Sequence, residues 1–305
     1  MTSLAKEWGK VYFCPTPLGN LRDITLRTLD VLQSVDCIAC EDTRVTLKLL
    51  NVYGINKPLV SYHSHNISRA TQEILRLVKS GKNVAFVSDA GMPGIQDPGM
   101  ELVAVLLQEG IPFEVLPGPS AVLLGVVYSG FSFSGFTFVG FLPRRRGERR
   151  AILEQVLILP QAVVFYESPK RLFATLEDIQ EVGGKERRIL VARELTKIHE
   201  EILRGTVAEV QGRLRGRDIR GEVLIVVEGQ RKKKEAQVSE RLLEFLMRRG
   251  LQEKEIVAIL GEELGIGKNV LKRQIHALKE RLIFPEKIGL IEGVQGKGGN
   301  GTCEG

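Results

Sequence analysis

SDAGMPGIQDPG, residues 88–99, follows directly on the apolar run NVAFV at 83–87. A short apolar run that stops abruptly in Asp, Gly, Pro and Gly reads as a buried strand feeding a tight, glycine-shaped loop. Working outward, two further strand exits share this character. The run VYFC at 11–14 passes into PTPLGN at 15–20, and FEVL at 113–116 passes into PGPSA at 117–121. In an open α/β sheet, ligands bind where loops leave the carboxyl ends of strands. Three such loops predict one shared cleft rather than three unrelated turns.

Around these exits, short apolar runs alternate with helical spacing. Strands are predicted at 11–14, 36–41, 59–62, 83–87 and 113–116. Helices are predicted at 25–34, 44–53, 68–79 and 98–108, where Leu, Ile and Val recur at three and four. Thr25 and Ser68 are candidate N-caps, and Gly54, Gly81 and Gly110 stand where helices should stop. The alternation predicts a mostly parallel sheet with helices on both faces. Small residues crowd 120–135, the expected hinge to a second α/β unit. That unit is read as strands at 137–141, 162–166, 189–194, 200–204 and 222–228, with helices at 149–159 and 171–182.

Three amphipathic helices follow at 239–249, 253–264 and 269–281, with Ser239 and Asn269 suited to N-caps. Short helices with glycine turns suggest a helix-turn-helix module or, equally, a plain capping bundle. The expected organisation is an α/β domain at 1–120, a second at 121–230, a helical extension at 235–284 and a glycine-rich, disordered tail at 285–305.

The 305 residues are 43% hydrophobic and 26% charged, the composition of a soluble globular protein. No run reaches the roughly 18 apolar residues that cross a bilayer, and residues 1–10 lack the pattern of a secretory signal. Four cysteines in this length make no disulfide framework, and a reducing cytoplasm is the expected setting. Cys37 and Cys40 form a CxxC, but in a strand residues three apart face opposite sides, and no second pair completes a zinc site. A structural role is expected for both. His63 and His65 lack a third ligand, so hydrogen bonding rather than metal binding is predicted.

The net charge of +6 is clustered. Arg144, Arg145, Arg146, Arg149 and Arg150 share one short segment with a single acid, Glu148. Arg213, Arg215, Arg217 and Arg220 form a second group, and 231–234 reads RKKK. Such clusters favour a polyanion, above all nucleic acid, although solvated linkers carry similar runs. The loops contain no Walker sequence and no G-x-G-x-x-G opening a helix after the first strand. Backbone amides, a few hydroxyls and Asp89 suit a nucleoside with little phosphate, which several cofactors would satisfy.

Further motifs occur in a fixed order: TPLGNLRDIT at 16–25, EDTR at 41–44, the 88–99 loop, PGPSA at 117–121, YESPKR at 166–171, RELTKIHE at 193–200 and the strand at 222–229. Together they resemble the ribosomal RNA small subunit methyltransferase I family, a branch of the tetrapyrrole-methylase-like class, over residues 10–230. The sequence departs from that pattern at Met92 and Gln96, where Thr and Ser are expected, and near Ser64, where a Glu is expected.

The resemblance implies a two-domain tetrapyrrole-methylase-like fold, two α/β/α domains with the cofactor cleft between them, plus a helix-turn-helix-like extension. It implies a cytoplasmic homodimer that uses S-adenosylmethionine to methylate the ribose 2′-hydroxyl of a cytidine in the decoding region of 16S rRNA, within the 30S subunit. Carried over by position, Leu18, Gly19, Ser88, Asp89, Ala90, Ile95, Ser120 and Ala121 would bind the cofactor. Glu167, Leu195 and Thr196 would close the site from the second domain. A 2′-hydroxyl is a poor acid, so a base would help; Asp42 and Glu167 are the candidates. Asp42 reads equally as the N-terminus of a helix with Arg44 as its partner. Arg44, Lys170, Arg171 and the Arg144–Arg146, Arg149 and Arg150 cluster would meet RNA phosphate. A tetrapyrrole methylase would share the fold but need neither the arginines nor the extension. A catalytically inactive RNA-binding assembly factor would not need the three loops.

Overall fold

In the computed structural model, which describes residues 8–132, 134–230 and 238–283, the apolar runs of the first half become five strands. They are β1 (Val11–Cys14), β2 (Cys37–Cys40), β3 (Leu59–Ser61), β4 (Val84–Val87) and β5 (Phe113–Val115). Helices α1 (Leu26–Ser34), α2 (Thr43–Val52), α3 (Ile67–Lys79) and α4 (Gly99–Glu109) connect them. The strand order is β3-β2-β4-β1-β5, with every pair parallel. Phe13, Ala39 and Phe86 pack on Ile74 of α3 and Leu102 of α4, while Cys14, Ile38 and Val87 pack on Leu32 of α1 and Leu50 of α2. Burial on both faces explains why these strands read as unbroken apolar runs. Cys37 and Cys40 fall on opposite faces of the sheet, both buried and unbridged.

Thr25 caps α1 by accepting the Thr28 N–H at 3.0 Å. Ser68 caps nothing, because α3 begins at Ile67 and Asn66 holds the N-cap position. Its amide is spent on the preceding loop instead, accepting the His63 N–H at 2.8 Å.

Residues 121–129, expected within an open hinge, form α5 (Ala121–Ser129). The small residues there serve packing: Val122 and Val126 lie on the second sheet, and a Cβ at Gly125 would stand 1.9 Å from Leu224 Cδ2. That sheet contains β6 (Phe136–Phe141), β7 (Ala162–Glu167), β8 (Arg188–Arg193), β9 (Glu201–Thr206) and β10 (Val223–Val227). Its order is β6-β7-β10-β8-β9, with β6 and β7 parallel and the remaining pairs antiparallel. Helices α6 (Arg146–Val156), α7 (Leu172–Gly183) and α8 (Val207–Leu214) cover the face opposite α5. The sequence reading missed α8, although Thr206 and Glu209 form a reciprocal capping box whose T-x-x-E spacing was visible.

The C-terminal unit has its own core. α9 (Glu240–Arg248), α10 (Glu253–Leu264) and α11 (Lys268–Ile283) bury Leu243, Ile256, Leu260, Leu271 and Ile275 together. Ser239 accepts the Leu242 N–H as a cap, whereas α11 starts at Lys268 and places Asn269 inside its first turn. The basic run at 231–234 and the tail at 285–305 lie outside the described residues. Among the described residues, no helix is long and apolar enough to cross a membrane.

Candidate active site

The loops that leave the carboxyl ends of the first sheet are tied to one another. Thr16 and Gly91 exchange two backbone hydrogen bonds of 3.0 Å, Thr16 Oγ1 donates to the Ser88 carbonyl at 3.0 Å, and Ser88 Oγ donates to the Gly91 carbonyl at 3.0 Å. The Asp42 N–H donates to Asp89 Oδ1 at 3.1 Å, joining the β2 and β4 exits. Asp97 closes the 88–99 loop on itself, accepting from the N–H groups of Gly94 at 2.8 Å and Gly99 at 2.7 Å. Within that loop Gln96 takes a left-handed φ of +68°. A side chain there stores backbone strain, which concentrates at functional sites.

Two close approaches bring these loops onto the second sheet. Gln96 lies against Gly140, where a Cβ would stand 2.3 Å from Gln96 Nε2; Gly140 itself has φ +78° at a register shift in β6. Gly19 lies against Lys197, where a Cβ would stand 2.1 Å from Lys197 Cγ. Lys197 is fixed by Glu194 at 2.9 Å and Glu222 at 3.1 Å. The Asn20 N–H donates to Thr196 Oγ1 at 3.1 Å. Glu194 and Thr196, with φ of +49° and +64°, are the other left-handed non-glycine residues among those described.

Between the two sets of loops lies a cleft of about 410 Å³. Leu18, Ser88, Asp89, Ala90 and Ile95 line it from the first sheet, and Ala121, Glu167 and Leu195 line it from beyond. Gly19, Ser120 and Thr196 are absent from the lining. Gly19 and Thr196 act instead in the loop contacts just described, and Ser120 stands at the N-cap position of α5. The sequence reading missed Phe141, Tyr166, Ala192 and Leu224, strand residues that complete the wall. The rings of Phe141 and Tyr166 stand 5.5 Å apart. Every charged side chain in the lining is acidic. Burial raises the carboxyls of Glu41, Asp89 and Asp97 above their ordinary range, and Asp89 and Asp97 raise Glu41 further. Such a cleft repels phosphate and suits a cationic ligand with an aromatic part.

A second cavity, also about 410 Å³, is lined by Glu41, Asp42, Thr43, Arg44, Ser61, His63 and Asp89. The two cavities share Glu41 and Asp89. The His65 N–H donates to His63 Nδ1 at 3.2 Å. Among the described residues, no three His, Cys, Asp or Glu side chains are grouped to hold a metal.

Several expected roles need correction. Glu167 is 2% exposed and fully engaged: Oε1 accepts from the Ser168 N–H and Arg171 Nε, both at 2.7 Å, and Oε2 from Thr175 Oγ1 at 2.6 Å. Both carboxylate oxygens are thus held by donors of the protein. Arg171 is consumed in the same contact and in a bond to the Leu142 carbonyl, so it holds Glu167 rather than RNA. Asp42 accepts from the Arg44 N–H at 2.8 Å and from its guanidinium at 2.6 Å, which holds its carboxyl down to about 2. Such an acid is a feeble base. Arg149 is buried and bonds to fully buried Asp178 through Nε at 2.7 Å; it cannot reach a phosphate. Arg146 binds Asp178 and Glu181, and Arg150 binds Glu181, so both brace α6 on α7. Arg144, Arg145 and Lys170 remain exposed.

Residues 10–211 match the profile of the family described as Tetrapyrrole (Corrin/Porphyrin) Methylases. The ribosomal RNA small subunit methyltransferase I of Bacillus subtilis is 41% identical over 278 residues, covering 88% of this chain and 94% of that protein. The protein of the same name from Thermotoga maritima is 47% identical over 221 residues, 72% of this chain and 99% of its own. The chain belongs to the ribosomal RNA small subunit methyltransferase I family. Its fold matches solved tetrapyrrole methylases. The Thermus thermophilus uroporphyrin-III C-methyltransferase, solved with S-adenosyl homocysteine, gives a TM-score of 0.54 at 20% identity over 72% of this chain and 97% of that one. A cobalt precorrin-4 methyltransferase gives 0.54 at 18% identity, over 72% and 94%. The methyltransferase I fold here is thus the tetrapyrrole-methylase fold, extended by the helical unit α9–α11.

Proposed function

We propose that this protein uses S-adenosylmethionine to methylate the ribose 2′-hydroxyl of a cytidine in the decoding region of 16S rRNA, acting on the 30S subunit as a cytoplasmic homodimer. The observation that carries the reading is the charge of the cleft: apolar walls, carboxylates and no cation. A nucleoside bearing a cationic sulfur and an amine fits that donor set, and a phosphorylated cofactor does not. Relatives named for small-subunit rRNA methylation support the substrate class.

When bound, S-adenosylmethionine supplies a methyl carbon activated by a positively charged sulfur. Leu18, Ala90, Ile95, Ala121 and Leu195 would hold its apolar surfaces, with Ser88 and Asp89 as polar partners. The remaining work of the chain is positional, setting the ribose oxygen in line at near-attack distance. Exposed Arg44, Arg144, Arg145 and Lys170 are the cations available to RNA phosphates.

The test offers purified 30S particles, free 16S rRNA and a corrinoid precursor, each with labelled methyl donor. Label is expected in 30S rRNA, on one 2′-O-methylcytidine by mass spectrometry, and that methyl should be missing from cells lacking the protein. Label on the tetrapyrrole alone would overturn the substrate assignment. Calorimetry without S-adenosylmethionine binding would overturn the enzymatic one.

A further inference from the structure

Transfer between two bound molecules requires the reacting atoms to meet where their two sites adjoin. Here the two cavities adjoin at two side chains, Glu41 and Asp89. The second cavity is polar throughout, lined by hydroxyls, carboxylates and His63, the composition that suits the hydroxyls of a ribose rather than the cofactor's apolar parts. We propose that Glu41 is the general base of the transfer, taking the proton of a nucleoside hydroxyl seated in the second cavity while the methyl donor occupies the first. This inference rests on the methyl-transfer reading above.

The neighbouring groups are each engaged where Glu41 is not. Asp89 gives one carboxylate oxygen, Oδ1, to the Asp42 N–H. Asp42 accepts three hydrogen bonds from Arg44, and both oxygens of Glu167 accept from protein donors. His63, which also lines the cavity, accepts the His65 N–H on Nδ1. Glu41, at the end of β2, makes no hydrogen bond or ion pair to any described residue. Its raised carboxyl is also better matched to proton transfer near neutrality than an ordinary glutamate.

The step balances. The 2′-oxygen gives its proton to a Glu41 carboxylate oxygen and forms the new bond to the methyl carbon. The carbon–sulfur electron pair stays on sulfur, which leaves as a neutral thioether, and Glu41 then returns the proton to water.

The experiment compares native protein, Glu41→Gln and Glu41→Asp in single-turnover methyl transfer to 30S particles across pH, with S-adenosylmethionine affinity by calorimetry. Charged and titratable groups facing Glu41 are Asp42, Asp89, Asp97, His63 and Arg44, so the acid limb is read as the difference between native and Gln variants. A general base contributes about 10²–10⁴-fold. Glu41→Gln should therefore lose about 100-fold or more in rate at unchanged cofactor affinity, and lose the acid limb. Glu41→Asp should recover part of the rate. Three results overturn the assignment: Glu41→Gln within about threefold of native, an equal loss of rate and cofactor affinity, or Glu41→Asp no better than Gln. If native protein does not methylate 30S particles at all, the functional reading fails first, and that is seen without any variant.

Discussion

At Asp42 the local chemistry of one residue decides between two roles that its motif permits. A carboxylate at the start of α2 meets the N–H of Arg44 and the positive end of the helix. Asn offers the capping oxygen without the charge that holds the Arg44 guanidinium, and Ala offers neither. Asp42→Asn is expected to melt somewhat below the native protein, and Asp42→Ala lower still, both followed by circular dichroism. The pH dependence has a definite sign. Arg44 lowers the carboxyl from 3.8 to about 2, so stabilisation by the ionised form is complete above 3.8 and is lost as pH falls toward about 2. The melting difference between native and Asp42→Ala should shrink through that window. EDTR made the cap legible from sequence. What sequence could not show was that Glu41, next door, has no hydrogen-bond partner among the described residues, because that depends on what the loops after β3 and β4 bring up to it.

At the scale of elements, the arginine run divides by partner. Arg149 and Asp178 lie 29 residues apart, on α6 and α7, and meet in the core. Charge clustering along the chain carries no information about an acid so distant, which is why the whole run read as a polyanion site. Removing one member of a buried pair leaves a desolvated charge and costs about 3–5 kcal/mol. Asp178→Asn should show a loss of that size in urea unfolding. The double variant Arg144→Ala, Arg145→Ala should leave the unfolding curve in place. It should instead weaken 30S binding and flatten its dependence on salt, because each phosphate contact contributes to that slope.

Over the whole molecule, the first sheet was legible because strands buried on both faces leave unbroken apolar runs, and the three loops because Gly and Pro mark strand exits. The antiparallel pairing of the second sheet was not legible. Its strands carry the same apolar residues whichever way a neighbour runs, and the connection through 194–200 turns the chain with Glu194 and Thr196 in left-handed conformations that composition does not announce. The same ambiguity hid Phe141 and Tyr166 in the cleft wall. The unit α9–α11 closes its own core, so a chain ending at residue 234 should keep native S-adenosylmethionine affinity by calorimetry while binding 30S particles more weakly by filtration. An equal loss of both would make the helices a support for the fold rather than a substrate clamp.

Gly19 and Gly140 lie outside the lining of the cleft, yet Gly19 keeps a spacing that a single methyl group would spoil, and Gly140 a φ of +78° that a side chain would strain. Lys197 cannot swing clear of an alanine at 19 without forfeiting Glu194 and Glu222. In a saturation screen scored only by methylation, these two positions would therefore look as intolerant as residues that grip the reactants, and purified variants would reveal them as gauges of distance between the lobes.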